Sequence, residues 1–469
     1  MSPGSRGVPF SPRRRTAVVL SGEGTGAAYL VGAMKALDAA GVRVDVVLGR
    51  GAGALVAAFS ALCAEDKIDG DGGLLGEVLR RRPYRLSRFY RFVALCLAAS
   101  FAFFAAPALV GIASVVLLPV QALVRGLFPD SDVGRTSWLS SLIAAVEPYY
   151  LPAVAFPLIV LFLVFTFLWL RRVWNTRGRR PDLSDLFPPL FDLEPLEGML
   201  AASLWQLAKG TASRERPPGR HALSQAYVQL LTAGLGQTGF REIVIYALDT
   251  DTGAEIPFVV LKDRFAGKLA SSLDGTLVEP IDLAADGGAL FFDAVLAALT
   301  PPGLAPEVGM KLPRAAKLGG EVHRFVSSLA SGAGVLAQAV AAGAEQIFYV
   351  TSVPAGGRVS GSLWERMATG AARAGLERDL QALESFAPNR EVPVFVVRPE
   401  SERLVPFELE GRPQVGGGRL FPSALVDQGA RDVERLFVRP VLGEELAPAS
   451  REASTVKVDR DWERGPKEL

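Results

Sequence analysis

The 469 residues carry 50 Lys and Arg against 49 Asp and Glu, a net charge of +1, and are 49% hydrophobic. That is enough chain for one large or two ordinary domains, and the balanced charge supplies no global field for nucleic acid, which is set aside as a partner. Two cysteines, Cys63 and Cys96, and two histidines, His221 and His323, exclude a disulfide framework and a thiolate- or histidine-rich metal centre, so no metal or cofactor is expected.

Residues 1–15, rich in Pro, Gly, Ser and Arg, read as a disordered tail. Thr16–Leu20 is a short apolar run that breaks at Ser21-Gly22, which makes it a buried strand and not a signal-peptide core. A glycine turn follows, Gly22-Glu23-Gly24-Thr25-Gly26, then a helix over Ala27–Ala40. A second strand, Val46–Leu48, runs into Gly49-Arg50-Gly51-Ala52-Gly53 and a helix over Ala54–Ala64. Two strand–glycine turn–helix units in succession predict a parallel α/β sheet.

The character then changes. A basic cluster at Arg80–Arg91 precedes Phe92–Val124, which holds no charged residue and exceeds the ~20 residues a bilayer requires. A second apolar run, Leu151–Leu170, ends at Arg171-Arg172. The outer flanks are basic and the linker holds few charges, so the sequence predicts a two-helix transmembrane hairpin over 81–180, with spans at about 92–124 and 151–170. Both outer ends, and the α/β domain with them, are expected on the cytoplasmic side of an inner membrane, as a multi-pass protein. Beyond the hairpin, helices are expected at Leu196–Leu207, Ala222–Leu235 and Phe291–Leu299, and a proline-rich loop from Pro301. A β-hairpin is expected from Arg241–Leu248 and Ile256–Leu261, then a helix at Val335–Ala342. Strands at Gln346–Thr351 and Val392–Val397 flank a helix at Leu363–Phe386, and a closing helix spans Ser423–Leu436. The strands must join those of 16–65, because two strands alone cannot form a covered sheet. The expected domains are thus a discontinuous α/β body (16–80 and 181–440), the inserted hairpin, and a charged tail (441–469).

Two of these stretches carry a resemblance. LSGEGTGAAYLVGAMKAL (Leu20–Leu37) resembles the opening of patatin-like phospholipases, in which a strand enters a G-G-G-x-[KR]-G turn. VDVVLGRGAGAL (Val44–Leu55) resembles that family's G-x-S-x-G nucleophile elbow. YALDTDTGAEIPF, AVLAALTPPGLAPEV and the stretch from Gly343 are similar to later family segments, in the family's order. The resemblance implies a mostly parallel sheet flanked by helices, and a Ser–Asp dyad that hydrolyses lipid acyl esters, with the glycine turn holding the oxyanion. Position by position, that machinery is absent. The nucleophile position is Gly51, between Gly49 and Gly53. The oxyanion-type turn reads Gly22, Glu23, Gly24, Gly26, with a carboxylate where a glycine belongs. The dyad Asp falls at Ser327-Ser328-Leu329. The expected function is therefore a catalytically inactive membrane-anchored protein that binds membrane lipid or a protein partner.

Two alternatives remain open. An active acyl hydrolase would use displaced residues: Asp286 of Asp286-Gly287-Gly288 as base, and Ser21, Ser327 or Ser331 as stand-in nucleophile. A nucleotide-binding protein would use Gly22-x-Gly24-x-x-Ala27 as its fingerprint, with Asp45 as the ribose contact.

Overall fold

The computed structural model describes residues 10–22, 24, 26–69, 73–76, 84–102, 105, 155–164, 166–167, 189–209, 216–262, 280–285, 288–313, 320–328, 335–353, 370, 374–375, 377–378, 392–399 and 422–442. Two compact units are present. The first comprises 1–84, 193–302 and 307–469, and the second 85–192 and 303–306.

In the first unit, the run TAVVLSG forms β1 (Thr16–Gly22), buried along its whole length. After it come α1 (Gly26–Ala39), β2 (Val46–Gly51), α2 (Ala52–Ser60) and the single turn α3 (Asp66–Asp69). The second unit contains β3 (Arg85–Leu86) paired antiparallel to β4 (Phe191–Asp192). The first unit resumes with α4 (Glu194–Lys209), α5 (Arg220–Gly234), β5 (Glu242–Asp249), β6 (Glu255–Val260) and β7 (Ile281–Asp282). Next are α6 (Phe291–Ala298), β8 (Val308–Lys311), β9 (Val322–Ser327) and α7 (Val335–Ala341). It closes with β10 (Gln346–Thr351), β11 (Val394–Val397) and α8 (Pro422–Val433).

One sheet unites these strands in the order β11-β10-β1-β2-β5-β6-β7, with β8 and β9 branching from β5. From β11 to β5 all neighbours are parallel. Parallel strands carry helices on both faces, which is why β1 and β2 read as unbroken apolar runs. Alternate residues Ala17, Val19, Val46, Leu48, Val244 and Tyr246 share one face, covered by Leu336, Ala339 and Val340 of α7. At the strands' amino ends, Arg15 pairs with Glu242 at 2.7 Å and Arg241 bridges Asp38 and Glu65. Helices α1 and α8 cross in close contact: a Cβ on Gly32 would strike the backbone of Val426, and one on Gly429 the carbonyl of Tyr29.

The transmembrane hairpin is not supported. Among the described residues, no helix is long and apolar enough to cross a membrane. In the first expected span the described helical residues are 88–102 and 105. In the second expected span the described helical residues are 155–164 and 166–167. Lack of charge lowers the cost of entering lipid but does not by itself establish a spanning helix, and none is found among the described residues. The multi-pass localisation and the hairpin part of the fold class are corrected accordingly. What stands is a mixed α/β body whose mostly parallel sheet is flanked by helices. Residues 103–104, 106–154 and 168–188, and most of the expected helix Leu363–Phe386, lie outside the described residues.

Candidate functional site

The site is built at the carboxyl ends of β1, β2 and β10, where open α/β sheets place their ligand crevices. β2 runs through Gly51 and α2 starts at the next residue, so one residue makes the whole corner. Gly51 has φ 56° and ψ −131°, in territory that an L side chain enters only under strain. Its neighbours are glycine for a different reason. A Cβ on Gly49 would lie 2.5 Å from the Ala54 Cα, and one on Gly53 would strike the Leu20 carbonyl. The helix folds back so closely on β2 and β1 that neither position has room for a methyl group. A one-residue strand-to-helix corner of this kind is what a G-x-S-x-G elbow requires of its backbone, and at its apex Gly51 carries only hydrogen.

Arg50, inside this corner, is 1% exposed. Its Nε and Nη2 donate to Oε1 and Oε2 of Glu255 at 2.8 and 2.7 Å, a bidentate pair, and its guanidinium lies 5.8 Å from the Tyr246 ring centre. The pair ties the elbow to β6 across the intervening β5.

Sheet register places the expected dyad position beside the elbow. β6 bonds to β5 from Ile243 to Leu248 on one edge, and β2 occupies the other edge as far as Tyr246. β9 takes over that second edge at Ala247–Asp249, antiparallel, so its last residues meet the end of β2 head-on. Those residues are Ser327 and Ser328, both buried. Ser327 N–H donates to the Thr300 carbonyl at 2.8 Å, and Ser328 Oγ donates to the Tyr246 carbonyl at 3.4 Å. Two serines, the Ser328 hydroxyl bonded to backbone, stand where the family pattern expects a proton-accepting carboxylate. Leu329, Ser331, Asp286 and Glu23 lie outside the described residues.

The glycine turn is packed against β10. Ser352 N–H donates to the Ser21 carbonyl at 3.1 Å, and Ser352 Oγ occupies the space that a Cβ on Gly22 or Gly26 would need. Gly24 has φ 51° and accepts from Ala27 N–H at 3.2 Å, which closes the turn. Ser21 is a buried strand residue opposite Thr351, not a residue of an elbow. Asp45 sits at the other end of the sheet, where its carboxylate accepts from Thr16 N–H at 3.0 Å. The length of β1, roughly 20 Å at 3.3 Å per residue, separates it from the glycine turn. A ribose contact from Asp45 is out of reach.

Beside the corner lies a cleft lined by Gly24, Ala27, Ala52, Leu55, Leu74, Leu75, Tyr84, Leu196, Leu200 and Leu299. Tyr84 donates its hydroxyl to the Leu299 carbonyl at 2.9 Å, which turns the polar end of the ring away from solvent. The cavity volume is ≈ 20 Å³, room for about one water.

Sequence reasoning missed one cluster. Asp249, Asp251 and His323 have potential ligand atoms within 4.8 Å of one another. His323 Nδ1 lies 2.9 Å from Asp249 Oδ2, which also accepts from Thr252 Oγ1 at 2.8 Å, while Oδ1 accepts from Asp251 N–H at 2.9 Å. Asp251 in turn takes the Arg324 guanidinium at 2.7 Å and the Arg324 N–H at 3.1 Å. Every carboxylate oxygen already has a protein donor, so the cluster locks the β5–β6 turn to β9. Its signal was Asp249-Thr250-Asp251-Thr252-Gly253, but the partner strand carrying His323 lay in a stretch to which the sequence assigned no element.

Burial pushes the Cys63 thiol up, away from thiolate. Burial also raises Asp293, against the pull of Arg220.

No protein-family model matches the chain, and no curated protein is significantly similar to it. Among solved structures, the crystal structure of VipD from Legionella pneumophila aligns at 12% identity and a TM-score of 0.32, over 93% of this chain and 72% of that chain. A score this low carries no argument about fold or function.

Proposed function

We propose that this chain is a patatin-like α/β protein that no longer hydrolyses esters at its nucleophile corner and acts by binding, not turnover. The observation that carries the reading is Gly51. The corner keeps the tight backbone of an elbow and the two glycines that backbone demands, while the residue at its apex has no side chain to attack with. Covalent acyl transfer requires a side-chain nucleophile there. The hydroxyls of Ser327 and Ser328 at the expected base position, and the leucine-lined cleft, favour the same conclusion. With space for about one water, the cleft favours a protein partner over a lipid acyl chain as what the α/β body binds.

The test is turnover of a p-nitrophenyl acyl ester and of a phospholipid by wild type, Gly51→Ser, and Gly51→Ser/Ser327→Asp/Glu23→Gly. Wild type should match the buffer rate. Gly51→Ser alone should stay near it, because a missing general base costs roughly 10²–10⁴ in rate and a carboxylate in the oxyanion turn a further ~10²–10³. Wild-type turnover abolished by covalent serine inhibitors would overturn the reading and favour a hydrolase with displaced residues.

A further inference from the structure

The second unit carries most of the large apolar side chains that the described residues expose. In helix 88–102 the less exposed stripe holds Val93, Cys96 and Ser100, whereas Leu95 (67% exposed), Leu97 and Phe101 (72%) face outward. This reverses the usual arrangement, since the sequestered side carries the thiol and the hydroxyl. Residues 155–164 and 166–167 are apolar on both sides except for exposed Thr166, with Phe156, Phe162 (70% exposed) and Phe167 outward. Their one hydroxyl, Thr166 Oγ1, donates to the Phe162 carbonyl at 2.8 Å, four residues back, and so needs no outside partner. Exposed Arg85, Arg88 and Arg91 lie at the amino end of the first helix, and neither 85–102 nor 155–167 contains an acidic residue.

We propose that these two helical stretches dock on the face of an anionic lipid bilayer, lying in the interface without crossing it. The occupant follows from charge and shape. Asp192 faces Arg85 across the β3–β4 ladder, while Arg88 and Arg91 lie on a stretch without carboxylates, and an apolar surface with such a cationic edge is complementary to acyl chains beneath anionic headgroups. A second copy of the chain would set Arg85, Arg88 and Arg91 against their own like in a two-fold contact. The inference rests on residues remote in sequence from Gly51, so it stands or falls apart from the ester assays.

Flotation of the full chain with vesicles tests it, using phosphatidylcholine alone and phosphatidylcholine with phosphatidylserine, at low and high salt. Binding should require phosphatidylserine and weaken with salt. Arg85→Gln/Arg88→Gln/Arg91→Gln should weaken partitioning by about 10²-fold, at roughly fivefold per arginine. Leu95→Ser/Phe101→Ser should weaken it by about tenfold or more per side chain. Thermal unfolding of each variant in solution confirms that the fold is retained. Failure to float with either vesicle, flotation untouched by both variants, or self-association through these side chains without lipid binding would overturn the proposal.

Discussion

Replacing either partner of the Arg50–Glu255 pair should be among the most damaging substitutions in the α/β body. Both side chains are 1% exposed, and they meet through two hydrogen bonds of 2.7–2.8 Å. Glu255→Leu removes the buried bidentate acceptor of the Arg50 guanidinium, and Arg50→Met removes the cation that donates both of these bonds to the Glu255 carboxylate. Breaking a buried pair from one side costs about 3–5 kcal/mol, a large share of the ~5–15 kcal/mol that holds a domain together. The double variant Arg50→Met/Glu255→Leu removes both charges and restores apolar packing, so it should fall within ~1 kcal/mol of wild type. The cycle therefore predicts a coupling of at least ~3 kcal/mol, well beyond the additivity expected of independent sites. Urea unfolding followed by circular dichroism measures all four proteins. Single variants costing under ~1 kcal/mol, or a double variant equal to their sum, would refute the claim that this pair clamps the corner.

Gly53→Ala should cost more than ~3 kcal/mol or prevent folding, because its methyl group meets the Leu20 backbone, which cannot move aside. Gly198→Ala is the matched control: Gly198 is in the interior of α4 with nothing within 4 Å, so it should gain ~0.5–1 kcal/mol. Chemical denaturation of both separates steric need from mere presence of glycine. Burial raises the Asp293 carboxyl above its unfolded value, so the folded chain holds that proton more tightly. Wild type should therefore lose stability relative to Asp293→Asn as pH rises from about 3.9, the unfolded Asp value, through the raised folded value. A melting series across that range would show the two curves separating, and parallel curves would contradict it.

The glycine corner was legible because its signal is local. An apolar run, three glycines at alternate positions and a helix-forming run permit little except a strand, a one-residue turn and a helix. Strands β5 and β10 were equally plain, since EIVIYALD and QIFYVT are β-rich and bounded by turns. What escaped depended on partners far away in the chain. Nothing around Arg50 marks it as buried; its counter-charge is 205 positions on, and only the sheet order brings the two together. Strand β9 was hidden because His323 and Arg324 interrupt the apolar run of VHRFVS. Only its pairing to β5 shows that Ser327 and Ser328 end beside Gly51. The uncharged runs at 92–124 and 151–170 misled because composition reports the cost of entering lipid and does not by itself establish a spanning helix, and none is found among the described residues.

The central claim, that the corner is an elbow without a nucleophile, is tested most directly by intact-mass measurement of the wild-type chain after a fluorophosphonate probe. The account predicts an unmodified mass, with a serine hydrolase labelled in the same tube as positive control. A single stoichiometric adduct on one serine would contradict it.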